Sequence, residues 1–131
     1  MESKSKFKII AIIEFILIIL ITAFFISQYN DSVKRTDIFE KFSPDKKYSL
    51  TFSEVGITYP LGSTDVEITV GKLSNNEWHY SPYMSIVVYN EGSATSGDFD
   101  FEWYNDYVII HVKSKQHSDI TYRIYWNDVF K

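Results

Sequence analysis

The chain has 131 residues, with thirteen basic and seventeen acidic side chains, a net charge of −4 and no cysteine. The missing cysteine excludes a disulfide scaffold, a lipidated-cysteine anchor and a thiol nucleophile. From Gln28 onward ten Lys/Arg face fifteen Asp/Glu, which argues against nucleic acid, whose phosphates need clustered basic residues.

Residues 1–8 carry Lys4, Lys6 and Lys8 and read as a cytoplasmic tail. The block Ile9–Ile26 follows, apolar except for Glu14 and Thr22. About 20 such residues let a helix cross the hydrocarbon of a bilayer. Residues 9–27 are therefore expected to be a transmembrane helix. A cleaved secretory signal has a shorter core of about 7–15 residues and small residues at its exit. Here Phe24, Phe25 and Ile26 stand at the exit, so an uncleaved signal-anchor is expected. Basic residues flank both ends of the block. A short lysine-rich tail is costly to translocate, so the expected topology is single-pass with the C-terminal domain extracytoplasmic. A carboxylate inside a span is costly and marks an intramembrane polar position. Glu14 either reaches the headgroups or meets a basic group on a partner helix.

Residues 28–42 are polar with scattered apolar positions and read as a stem or linker, or as a few more helical turns. The domain is expected over 43–131, opening with the turn Ser43-Pro44-Asp45-Lys46-Lys47. Six strand signals follow. Tyr48–Ser53, Val66–Val70, Phe99–Trp103 and Ile120–Trp126 alternate apolar with polar, while Met84–Tyr89 and Tyr107–Val112 are more apolar, as in central strands. Short connections predict that the last three form an antiparallel meander. The expected fold is all-β after one transmembrane helix: a small antiparallel β-sandwich or open barrel of about six strands.

Ser43-Pro44-Asp45-Lys46-Lys47-Tyr48, then Glu54-Val55-Gly56, then Pro60-Leu61-Gly62-Ser63-Thr64 and Trp103-Tyr104-Asn105-Asp106 form a pattern. It resembles a family of small single-pass membrane-anchored β-domain proteins of low-GC Gram-positive bacteria. Lys46 departs from the pattern, which usually has glycine there. The resemblance implies a fold and a cell-membrane location and brings no catalytic residues. Composition agrees with such a source. Residues with AT-rich codons (Phe, Tyr, Met, Ile, Asn, Lys) number 56, against 13 with GC-rich codons (Gly, Ala, Arg, Pro).

Two groups of residues are candidate sites. Asp98, Asp100 and Glu102 fall on one face of one strand signal. They read either as a solvated acidic face or as weak metal candidates, with Glu91 and Asp106 as further donors. The aromatic segments Tyr59-Pro60-Leu61 and Trp78-His79-Tyr80-Ser81-Pro82-Tyr83 lack clean alternation and read as loops. Tyr59, Trp78, Tyr80 and Tyr83 are the candidate binding residues. Exposed aromatics serve recognition surfaces, and they equally cap cores. His79, His111 and His117 lack ligand spacing, and His111 is expected to point outward. No catalytic constellation, metal or cofactor is expected.

The leading functional expectation is a membrane-anchored module that binds an envelope protein or secreted peptide, with an accessory or immunity-type role as one form. The alternative is a structural subunit whose anchor helix makes the key contacts. A metal-dependent hydrolase is a third class.

Overall fold

The computed structural model describes residues 2–56, 62–90, 92–115 and 117–131. A break between Lys34 and Arg35 divides the chain into two compact units.

The first unit is one helix, α1 (Glu2–Val33). It contains no glycine or proline, and apolar side chains occupy every side of Ile9–Ile26. None of them is buried. In water such a surface would be costly at about 25 cal/mol per Å². The helix is long and apolar enough to cross a membrane. Glu14 lies within it, exposed.

The second unit begins at Arg35. Among the described residues seven antiparallel strands form two sheets. The four-stranded sheet is a meander of β1 (Arg35–Phe42), β2 (Tyr48–Val55), β3 (Ser63–Ser74) and β4 (Glu77–Tyr89). The three-stranded sheet is the expected meander of β5 (Phe99–Trp103), β6 (Tyr107–Val112) and β7 (Ile120–Tyr125). A short helix, α2 (Trp126–Val129), follows β7.

Two stretches differ from the sequence expectation, both because a β-bulge breaks the period of two. Residues 35–42 are not a stem but an additional strand. Asp37 pairs with Ser53 and Phe39 with Phe52, so Ile38 is an extra residue. A bulge inserts one residue and shifts the alternation, which hides the strand from a periodicity reading. Likewise Trp78–Tyr83 is not a loop but the first half of β4. There Ile68 pairs with Met84 and Thr69 with Pro82, leaving Tyr83 as the extra residue. Pro82 is tolerated because β4 is an edge strand. Asn75 and Asn76 close the β3–β4 hairpin with φ of +53° and +62°. A two-residue turn with both residues left-handed matches the twist of the strands, and asparagine accepts that conformation.

The β1–β2 turn is built by its own side chains. The Ser43 hydroxyl donates to Asp45 Oδ1 at 2.6 Å, and the Lys47 N–H donates to the same oxygen at 3.1 Å. These bonds hold the Asp45 carboxyl below its ordinary range, the Ser43 bond being the larger cause. Lys46 adopts φ of +57°, a left-handed conformation that glycine takes without steric cost.

The core lies between the two sheets. Leu50, Phe52, Val66, Ile68, Val70, Ile86 and Val88 project from one, and Phe99, Val108, Ile110, Val112 and Ile124 from the other. Phe52 stacks on Phe39 at 4.5 Å and meets Phe99 at 4.7 Å. Tyr48 stacks on Trp126 at 4.2 Å, and burial pushes its phenol pKa up. The pair closes one end of the sandwich.

Candidate binding face

Strand alternation gives the four-stranded sheet an outer face as well as a core face. One row across that face is Phe42, Ser49, Gly71 and Tyr80, in register from β1 to β4. Trp78 stands two residues from Tyr80, on the same side. Its ring meets Phe42 at 5.7 Å and lies roughly parallel to Tyr80 at 6.2 Å. Phe42 is 46% exposed and Tyr80 55%. Three large rings thus stand partly in solvent on one sheet face. Their association contributes about 0.5–1.5 kcal/mol per pair beyond area burial.

Between Phe42 and Tyr80 the floor is small and polar. A methyl group at Gly71 would collide with Ser49 Oγ and come within 2.9 Å of the Tyr80 ring. Glycine is therefore required there by close approach, not by backbone conformation. Ser49 is 0% exposed and its hydroxyl has no hydrogen-bond partner among the described residues. Leaving a buried hydroxyl unpaired costs about 1–3 kcal/mol.

The face continues past Tyr80 into an open hollow of about 570 Å³. Thr51, Thr69, Tyr80 and Pro82 line it, together with Arg35, Asp37, Glu40 and Glu67. Arg35 is bound to Glu67 at 2.8 Å, and Ser53 donates to Asp37 Oδ1 at 2.6 Å. Glu40 has no ion-pair partner among the described residues.

The candidate binding residues fare differently. Trp78 and Tyr80 come together, as part of a strand rather than a loop. Tyr83 occupies the bulge and shares no ring contact with them among the described residues; it borders a smaller hollow with Glu67 and Pro82. Tyr59 lies outside the described residues. Sequence reasoning missed Phe42, Ser49, Gly71, Asp37 and Glu40. The signal for half of the face was Asn75-Asn76, whose turn chemistry extends the alternation of β3 into Trp78 and Tyr80.

The acidic residues do not converge. Asp98 is not in the strand: it ends a short 3₁₀ turn, Ser96–Asp98, where its carboxylate accepts from the Thr95 N–H at 2.8 Å. Asp100 pairs with Lys113 at 2.9 Å, and Glu102 meets His111 at 2.9 Å. Glu91 lies outside the described residues. Among the described residues no group of three or more His, Asp or Glu could hold a metal ion.

His111 points outward on the three-stranded sheet. Its Nε2 faces Glu102 and its Nδ1 faces Thr121 Oγ1 at 3.1 Å. Hydroxyl, imidazole and carboxylate in line are the parts of a nucleophilic relay. Here they lie on a strand face, and among the described residues neither His111 nor Thr121 lines the hollows of about 570 and 460 Å³. On the same face Arg123 donates to the Tyr125 hydroxyl at 3.0 Å and lies over the Tyr107 ring at 5.1 Å. The hydrogen bond to Tyr125 is the main reason its pKa is raised.

The chain matches no family model, no curated protein and no solved structure.

Proposed function

We propose that the chain is a single-pass membrane-anchored module, with its N-terminus cytoplasmic, whose β domain binds an envelope protein or a secreted peptide. The contact surface is the outer face of the four-stranded sheet. The observation that carries this reading is the run of exposed Phe42 and Tyr80 with partly buried Trp78 between them, beside an open hollow. Aromatic anchors near a concavity are what dominates the energy of protein interfaces. An immunity-type role, in which a secreted toxin is captured at the membrane, is one form of it. The apolar helix supports the location.

The test is photo-crosslinking of the full-length protein in its native membrane. A photoreactive residue replaces Tyr80 in one variant and Thr121, on the opposite sheet, in another. The expected result is a specific adduct from position 80 and none from position 121. Adducts from 121 alone, or equally from both, would refute the assignment of the face.

A second reading follows from Glu14, a carboxylate inside the apolar helix. Such groups are costly in a span and mark a functional position, of which a contact with a basic group on a partner helix is one form. In that reading the anchor itself holds a partner helix. Glu14→Leu would then abolish co-purification of the partner, whereas an unchanged complex would end the idea.

A further inference from the structure

The hollow beside Tyr80 is unbalanced in charge. Three carboxylates line it, Asp37, Glu40 and Glu67, against the single guanidinium of Arg35. That guanidinium is already bound to Glu67. Asp37 accepts one hydroxyl, from Ser53, and Glu40 has no ion-pair partner among the described residues. Two carboxylates are therefore left facing open space next to an exposed ring.

We infer that the occupant of this face is a peptide segment bearing lysine or arginine, seated with its cationic groups between the Tyr80 ring and the carboxylates of Asp37 and Glu40. The inference rests on the reading of this face as the binding surface. Three physical points favour this chemistry over others. An aromatic face attracts an ammonium or guanidinium through its quadrupole. A neutral apolar occupant would desolvate Asp37 and Glu40 with nothing in return, and an acidic one would be repelled. The third point is Ser49. Its hydroxyl is wholly buried, has no partner among the described residues, and closes over Gly71 together with the Tyr80 ring. A ring that lifts to meet a ligand uncovers an oxygen able to accept a hydrogen bond from the arriving cation.

The experiment uses the full-length protein in nanodiscs of phosphatidylcholine, whose headgroups are neutral overall. The probe is a fluorescent, end-blocked octapeptide alternating lysine with serine. Two counterparts carry glutamine or glutamate in place of lysine, and binding is read by fluorescence anisotropy. The lysine peptide should bind more tightly than the glutamine peptide, and the glutamate peptide should not bind. The double variant Asp37→Asn/Glu40→Gln should weaken the lysine peptide about tenfold, the sum of two exposed charge contacts. It should leave the glutamine peptide unchanged. Trp78→Ala/Tyr80→Ala should weaken both, with the β fold checked by circular dichroism.

Equal binding of the lysine and glutamine peptides, with no effect of Asp37→Asn/Glu40→Gln, overturns the cationic preference. The face itself still stands in that case if the ring variants weaken binding. Lysine-peptide binding that survives both double variants lies elsewhere and overturns the inference and the face together. No binding of any peptide overturns the inference, and the adduct from position 80 then decides the face on its own.

Discussion

On the outer face of the three-stranded sheet every charged side chain has a partner within that face. Asp100 holds Lys113, Glu102 holds His111, and Arg123 lies against Tyr107 and Tyr125. On the outer face of the four-stranded sheet the rings stand beside a small-residue floor, and Glu40 faces a hollow. The two faces share one core and similar residue types. What separates them is Glu40: on the four-stranded sheet Arg35 holds Glu67 and Ser53 donates to Asp37, but Glu40 has no ion-pair partner among the described residues. A self-paired surface gives a ligand little, because each new contact must first break an old one. An unpaired one has that interaction energy still available.

The largest expected effect tests whether the two faces belong to one body. Phe52 touches rings from β1 and from β5. Phe52→Ala should destabilise the domain by about 3–5 kcal/mol, read by guanidinium unfolding of the full-length protein in micelles. Circular dichroism and tryptophan fluorescence should give one coincident transition. Two separate transitions would mean that the sheets unfold independently, and the comparison would then concern two domains.

Next is Gly71→Ala. The added methyl must displace Ser49 Oγ or the Tyr80 ring, at a cost of about 1–3 kcal/mol. Combining it with Ser49→Ala should cost less than the sum of the two changes, because both act on the same space. Full additivity would show that the small-residue floor is not as tight as described.

Ser49→Ala alone has the opposite sign. It removes a buried hydroxyl that has no partner among the described residues and should stabilise by about 1 kcal/mol. A loss of similar size would reveal that the hydroxyl is bonded to water, making the floor of this face wet.

The smallest effect belongs to the self-paired face. Asp100 and Lys113 are both more than a third exposed. Asp100→Asn should cost less than about 1 kcal/mol. The cost should vanish in 1 M salt, where the screening length is about 3 Å. A larger, salt-resistant loss would mean that this face is held together by more than screened pairs.

Much of this molecule could be read along the chain. The helix at Ile9–Ile26 needs only the continuity of apolar residues. Six strands announce themselves by alternation or apolar runs, β4 only in its second half, and the β5–β6–β7 meander follows from short connections. Residues 35–42 and Trp78–Tyr83 escape a periodicity reading because bulges at Ile38 and Tyr83 put the pattern out of phase. Trp78 and Tyr80 were legible as unusual, though not as neighbours of Phe42.

Which stretches can be buried follows from the residues alone, because burial needs only the right kind of side chain at the right period. The tertiary structure alone decided which surface groups meet. Asp98, Asp100 and Glu102 sit close in the chain and go to three different partners, while Phe42, Ser49, Gly71 and Tyr80 are far apart and form one row. The reason is register: hydrogen-bond pairing between strands fixes cross-strand neighbours, and a one-residue bulge changes that pairing without changing composition.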